Sequence, residues 1–418
     1  MPGFKVGELI LTCTPYSYVL NNKFKNQYCD FCFKENNRLK KCSRCSFTYY
    51  CDKNCQVKAW QMHQIECKYL KNCVGEKPDE TTRAFALLIL QVKKHGVDKP
   101  IINVGVRKVS FATLMSHAED IKRDLKVKKK IEHFSVLLRK YIGSENTPSF
   151  DELTEIIGKT IINSFTILDV SSTEGIGKGL YLEASVFDHS CDPDALVVFE
   201  GTTLSVRMRR NISHRNICDV RISYLDVFLQ LTDQRRMLLQ EKYYFHCECE
   251  HCTSLKFDDL MTKLLADTDE AKQKALACQK EFKEKEQRFE SLSSINPQLV
   301  LEECKKLLKA QSEVLADSHI CKIKTLQIAW DTFLQLNAPE ESIKMASCLE
   351  KYLKLYYGNV NIVLGSFYLY YGIHLHSLGH KKEGASKMSE SDNIFKIIFG
   401  TQHPFYKSVE FYKQTLKL

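Results

Sequence analysis

A chain of 418 residues is long enough for two or three domains and a sizeable core. With 44% hydrophobic and 27% charged residues it has the composition of an ordinary globular protein, and no apolar run approaches the roughly 20 residues of a membrane helix. A net charge of +9 points to acidic partners, although the basic cluster "KVKKK" (126–130) reads first as a solvated helix face.

The opening "MPGFKVGELILTC" lacks the charged-then-apolar pattern and cleavage site of a signal peptide, so cytoplasm and nucleus are the expected locations. Within residues 4–20, "ELILT" and "SYVL" read as two short strands joined by a Thr-Pro turn. A cysteine-rich segment follows, and then apolar spacing at i, i+3 and i+4 predicts helices over Thr81–His95 and Ala118–Tyr141. From 161 to 228 the β-branched runs "NSFTILDV", "ALVVFEG", "TLSVRMR" and "VRISYLDVF" predict strands separated by Gly, Asp and Asn turns. Beyond about 256 the pattern is helical nearly throughout. Two stretches there, "LYYGNVNIVLGSFYLYYG" from Leu355 and "IIFGTQHPFYKSVEFYKQ" from Ile397, match 42 residues apart. A repeat of that length predicts stacked helix pairs like a tetratricopeptide (TPR) array, with a plain aromatic-cored bundle as the simpler alternative.

Of 18 cysteines, eleven fall into two metal-like groupings, and the other seven read as small buried hydrophobes rather than a disulfide framework. The segment "CDFCFKENNRLKKCSRCSFTYYCDKNCQVKAWQMHQIEC" holds C-x2-C, C-x2-C, C-x3-C and H-x3-C in order, giving seven cysteines and one histidine. Zinc takes four such ligands tetrahedrally at roughly 2.0–2.3 Å, so eight ligands make two sites, and spacing alone permits sequential or interleaved pairing. A segment this poor in apolar residues would draw much of its stability from the metal. Further on, "CECEHC" offers Cys247, Cys249 and Cys252, three thiolates from one loop that need a fourth ligand; Cys191 in "DHSC" is the natural candidate for a third zinc.

The first cluster resembles a MYND zinc finger. "GIGKGLYLEASVFDHSCDPD", then "VRISYLD", then "YYFHCECEHC", resemble the core and post-SET segments of a SET-domain methyltransferase. Together they make the chain similar to the SET and MYND domain-containing (SMYD) protein lysine methyltransferases over essentially its whole length. The resemblance implies an α+β multidomain fold: a β-rich SET domain with an inserted MYND finger, a post-SET zinc loop and a C-terminal α-helical TPR-like domain. Its expected boundaries are an N-terminal SET remnant at 1–27, the finger at 28–70, a helical linker and SET insert at 71–160, the SET core at 161–230, the post-SET loop at 231–255 and the helical domain at 256–418.

The resemblance also implies interleaved zinc pairing, with Cys29, Cys32, Cys51 and Cys55 on one ion and Cys42, Cys45, His63 and Cys67 on the other. It implies S-adenosylmethionine as cofactor, contacted by His117, Asn163, Asp188, His189, Tyr243 and Phe245, and catalytic roles for Tyr224 and Tyr243. Methyl transfer requires a neutral lysine amine in line with a sulfonium methyl, and Tyr224, Tyr243 and Phe245 would line an aromatic channel that positions it and stabilises the cation. Three features depart from the family pattern. "PGFKV" stands where a Gly-rich turn is expected before "GELIL", Asp188 stands where the family has Asn, and "NICDV" replaces a Gly-Glu-Glu turn. Gly177 and Gly179 form a separate, internal glycine pair.

Two functions follow as expectations. The first is a methyltransferase acting on histone or other protein lysines. The second is a cofactor-impaired adaptor that docks peptides or transcriptional partners through the finger. The basic Lys40, Lys41, Arg44 and Lys58 around the finger leave contact with nucleic acid open, while no membrane partner is expected.

Overall fold

The computed structural model describes residues 3–73, 75, 77–169, 174–225 and 229–415. Strands β1 (Leu9–Cys13) and β2 (Ser17–Leu20) come first, followed by the short strands β3 (Lys40–Lys41) and β4 (Tyr49–Tyr50) and helix α1 (Lys53–Asn72) of the cysteine-rich segment. Helix α2 (Glu80–His95), the hairpin β5 (Ile102–Val104) and β6 (Arg107–Val109), and helices α3 (Ala118–Arg123), α4 (Leu125–Ile142) and α5 (Phe150–Asn163) succeed them. Then come β7 (Ser164–Leu168), β8 (Gly175–Leu180), β9 (Asp188–His189), β10 (Ala195–Glu200), β11 (Thr203–Met208), β12 (Arg221–Ile222) and helix α6 (Thr232–Tyr243). These elements, with only the C-terminal part of α6, make up a first unit, Met1–His189 with Pro193–Ile222 and Leu239–His246.

Its β structure is a set of small sheets. One runs β1-β11-β10 and another β2-β8-β7, both antiparallel, so each N-terminal strand pairs with a strand far along the chain. In β11 the buried Leu204, Val206 and Met208 alternate with partly exposed residues, the period of a strand covered on one face. Gly177 in β8 has a packing role, since a Cβ there would meet the ring of Phe33 at 2.4 Å and the carbonyl of Val19 at 2.6 Å. The glycine thus lets the cysteine-rich segment lie directly on the sheet.

Helix α2 holds the unit together. Asp79 caps it by accepting from Thr81 and Thr82 N–H. Six successive residues, Phe85 to Leu90, are buried, so it is covered on every side. It packs on α1, α4, α5 and β2. Each fully buried Leu, Ile or Phe contributes about 1.5–3 kcal/mol. The finger cysteines Cys29, Cys42, Cys45 and Cys67 share one core with these helices, so the finger draws on ordinary apolar packing as well as metal. The helix expected over 118–141 is two helices. Asp124 ends α3, and its carboxylate accepts from Lys126 and Val127 N–H to start α4. The cap satisfies donors that a continuous helix would not leave open.

The second unit comprises Ser190–Asp192, Ser223–Leu238 and Cys247–Leu418. The short helices α7 (Glu250–Thr253) and α8 (Asp258–Met261) precede α9 (Asp269–Ser293), α10 (Pro297–Ser312), α11 (Ile320–Gln335), α12 (Pro339–Tyr357), α13 (Ile362–Ser377), α14 (Lys381–Phe399) and α15 (Pro404–Thr415). From α9 onward each helix packs on its neighbour in sequence. The repeat seen in the sequence has a structural counterpart. Helices α12 and α14 end at Gly358 (φ 74°) and Gly400 (φ 75°), and Asn361 and His403 then accept from the N–H two residues on, at Val363 and Phe405. Of "VRISYLDVF", only Arg221 and Ile222 pair as strand, and 226–228 lie outside the described residues. Among the described residues no helix is long and apolar enough to cross a membrane.

Candidate metal centres and cofactor site

Three groups of four ligand atoms, each within 4.8 Å of one another, form from sequence-distant residues. They are Cys29, Cys32, Cys51 and Cys55; Cys42, Cys45, His63 and Cys67; and Cys191, Cys247, Cys249 and Cys252. Only sulfur and imidazole donors are present, the set that zinc takes in closed structural sites, and the geometry is interleaved in the finger.

In the first group Cys51 and Cys55 flank the start of α1, where Asp52 caps the helix by accepting from Cys55 N–H at 2.8 Å. A hydrogen bond from Cys32, opposed by burial, brings the Cys29 thiol down to about 5. The second group is fully buried. His63 Nε2 lies 3.5 Å from Cys45 Sγ and 3.3 Å from Thr48 Oγ1, while Nδ1 lies 3.2 Å from Glu66 Oε1. Donation from Nδ1–H to Glu66 fixes the tautomer and leaves Nε2 as the metal ligand. Glu66 in turn accepts from Arg83 Nε at 2.9 Å and Nη2 at 2.8 Å, and Arg83 Nη1 donates to Asp30 Oδ1 at 3.1 Å. Burial pushes the Glu66 carboxyl up, but Arg83 outweighs it and holds the group down at about 2. Asp30 also accepts from Tyr49 N–H at 2.8 Å, so a single arginine on α2 ties both halves of the finger to the helical core.

The third group lies in the second unit. Cys191 Sγ is 3.5 Å from Cys252 Sγ and 4.0 Å from Cys247 Sγ. Helix α6 braces the loop. Arg235 donates to Cys252 Sγ at 3.6 Å, Arg236 Nε to the Cys247 carbonyl at 3.1 Å, and Thr232 Oγ1 to Asp258 at 2.9 Å. Two guanidinium groups thus face a site that four thiolates would leave negative.

The residues expected at a cofactor site are linked within the first unit. Asn163, the last residue of α5, donates through Nδ2 to the carbonyls of Met115 at 2.9 Å and Lys159 at 2.8 Å. Two residues beyond Met115, His117 donates through Nδ1–H to Asp120 Oδ2 at 3.0 Å, and its ring stacks on Tyr244 at 5.5 Å. Both His117 (φ 50°) and Tyr244 (φ 58°) hold left-handed backbone, which costs a side-chain-bearing residue about 1 kcal/mol or more and concentrates at functional sites. Tyr243, at the end of α6, is buried, and Phe245 lies 5.9 Å from the His189 ring. Asp188 and His189 form β9, which pairs in parallel with Arg221 and Ile222, and the Asp188 carboxylate is 3.4 Å from Arg221 Nη1. Tyr224 belongs to the second unit, beside residues outside those described.

Asp194 secures this pairing. Its Oδ1 accepts from Arg210 Nε at 2.8 Å, its Oδ2 accepts from Arg221 N–H at 3.0 Å, and its own N–H donates to the Arg221 carbonyl at 2.8 Å. Replacing Asp194 by Ala is expected to lower stability by about 2–4 kcal/mol in urea unfolding, with Asn recovering part of the loss; a change under about 0.5 kcal/mol would remove Asp194 from this role.

Sequence reading passed over Thr48, Glu66, Arg83, Arg221 and Tyr244. Glu66 carried a signal, since it sits three residues after His63 on one helix face. Tyr244 stood inside the quoted "YYFHC" without a role.

The family model of the MYND finger matches residues 29–67. Histone-lysine N-methyltransferase SMYD3 of Mus musculus is 30% identical over 404 residues, covering 95% of this chain and 89% of its own length. N-lysine methyltransferase SMYD2 of Homo sapiens is 26% identical over 413 residues, covering 97% and 93%, and histone-lysine N-methyltransferase Smyd1 of Mus musculus is 27% identical over 422 residues, covering 97% and 84%. With the finger, the third ligand group and the helical array all in the order that these relatives' similarity spans, the chain belongs to the SMYD family of lysine methyltransferases.

Proposed function

We propose that the chain transfers a methyl group from S-adenosylmethionine to a lysine amine of a protein substrate, histone or non-histone, and that three zinc ions hold its scaffold. The observation that carries this reading is the run of contacts from Asn163 through Met115, His117 and Tyr244 to Phe245, His189 and Asp188, which gathers residues from across the first unit. The donor chemistry suits the cofactor. Asn163 has its amide N–H groups engaged, and its Oδ1 accepts no hydrogen bond from the described residues, so it can accept from an ammonium. Asp188 adds negative charge, and the rings of Phe245 and Tyr243 offer faces to a cation. When bound, S-adenosylmethionine supplies an electrophilic methyl on sulfur.

The protein's part is positioning and exclusion of water. In this reading His117, Asn163, Asp188, His189, Tyr243 and Phe245 hold the cofactor, and the hydroxyls of Tyr224 and Tyr243 orient the amine. The segments divide the work accordingly: the SET core at 161–230 with the insert at 71–160 and remnant at 1–27, the post-SET loop at 231–255 carrying zinc, the finger at 28–70 offering a surface for peptides or transcriptional partners, and the helices from 256 onward a TPR-like frame. The relatives, all of them named as lysine methyltransferases, support lysine as the acceptor. Action in cytoplasm and nucleus accords with such substrates.

Calorimetry with S-adenosylmethionine tests the reading directly, and absence of binding up to millimolar cofactor would overturn it in favour of an adaptor working through the finger. Replacing Tyr224 by Phe is expected to lower methylation of a protein substrate by about 10–100-fold while cofactor affinity holds within about twofold. Unchanged turnover would count against its catalytic role.

A further inference from the structure

The turn 112–117 is gripped by α5 at three points. Asn163 Nδ2 donates to the Met115 carbonyl, and Lys159 Nζ donates to the Ala112 carbonyl at 2.9 Å. Gly158 leaves room for the Ser116 carbonyl oxygen, which a Cβ there would meet at 2.2 Å. The His117 ring at the end of this turn is then held on two further sides. Its Nδ1–H donates to Asp120 Oδ2 on α3, and one face stacks on Tyr244 with the rings inclined by 29°. Both His117 and Tyr244 keep a left-handed backbone that side-chain-bearing residues rarely adopt. His117 stands at the N-cap of α3, yet its side chain caps nothing, so helix termination does not account for the arrangement. With the proton on Nδ1, Nε2 is an acceptor, and it has no hydrogen-bond partner among the described residues.

The geometry points to Asp120 and Tyr244 as positioning residues for the cofactor, acting through His117. Together they set the imidazole so that Nε2 accepts a hydrogen bond from a hydroxyl or amine of S-adenosylmethionine, a role that rests on the chain binding that cofactor. A free imidazole exchanges between tautomers and turns about its side-chain bonds. A ring pinned at one edge and on one face has given up that freedom before the ligand arrives, and the cost of ordering it is not charged to binding. Asp120 is 46% exposed, so solvent and salt screen its direct pull on a cationic ligand, and its effect passes through the hydrogen bond to His117.

The test measures dissociation constants of the whole chain for S-adenosylmethionine and S-adenosylhomocysteine, which carry the same hydroxyls and amines but differ in the sulfonium charge. Asp120→Ala and Tyr244→Ala are each expected to weaken both ligands by about tenfold. Asp120→Asn, which keeps an acceptor, and Tyr244→Phe, which keeps the ring, should stay within about threefold of the parent chain. In a His117→Ala background none of these four changes should have an effect beyond about twofold. Circular dichroism verifies the fold of each variant. A second readout needs no change at Asp120 or Tyr244: long-range ¹⁵N–¹H correlation of the ligand-free chain should place the His117 proton on Nδ1, the signal being assigned by its loss in His117→Ala. Losses that persist in the His117→Ala background, losses confined to the sulfonium ligand, or a proton on Nε2 would each overturn the proposal. Binding of both ligands that all four variants leave unchanged overturns this proposal alone, whereas a parent chain that binds neither ligand overturns it together with the cofactor assignment.

Discussion

Replacing Arg83 by Met is expected to destabilise the protein by about 3–5 kcal/mol, the cost of stranding a buried charge whose partner is gone. Arg83 donates to Glu66 twice and to Asp30 once, and the three side chains are at most 5% exposed. Without the guanidinium, Glu66 must protonate or shift, and the hydrogen bond that orients His63 is lost with it. The effect should therefore appear twice: as a lower urea midpoint with an unchanged denaturant slope, and as faster zinc loss to a chelator from the group containing His63. Adding Glu66→Gln and Asp30→Asn to Arg83→Met should recover part of the stability, because no buried charge is then left alone. A loss under about 1 kcal/mol for the single variant would place the network among exposed ion pairs, which contribute that little.

Metal analysis is expected to return three zinc ions per chain, one for each four-ligand group, and two after Cys191→Ala. Structural zinc contributes about 10–16 kcal/mol in isolated finger peptides, so a vacant third group should release the segment around Cys247–Thr253 wholesale. Amide hydrogen exchange there should rise by several orders of magnitude, while the finger, held by its own ligands and by the α2 core, keeps its protection. Three ions retained after Cys191→Ala would remove Cys191 from the ligand set.

These two predictions draw on residues of unequal legibility. The cysteines and His63 were readable because metal ligands must be of few chemical types at short, fixed spacings. Most of the strand runs were readable because one-sided burial leaves a period in the sequence, as in β11, and α2 was readable from its dense apolar run. Arg83 was not: it lies on a helix whose apolar pattern absorbs attention, and its partners are 17 and 53 residues away. The break at Asp124 was hidden for a related reason, since apolar spacing continues across it while only the capping bonds reveal two helices. The stacking of His117 on Tyr244 depends on two left-handed residues brought together by the fold, which no local pattern encodes. Nor did "KVKKK" distinguish a solvated face from a cavity rim, because most of the apolar wall beside Lys129 and Lys130, including Phe85 and Leu88 of α2 and Phe165 of β7, comes from other elements.

The pairing of β1 with β11 bears on how the protein is made. Leu9 finds its partner Arg207 only after 198 further residues have been synthesised, and Ser17 of β2 waits similarly for Leu180. At about 5–20 residues per second the first strand spends roughly 10–40 s outside the ribosome with its edges open. Throughout that interval an apolar "LILT" run is available to neighbouring nascent chains. Yield in cells should therefore respond to chaperone supply and to translation speed more steeply than the stability of the finished molecule would indicate.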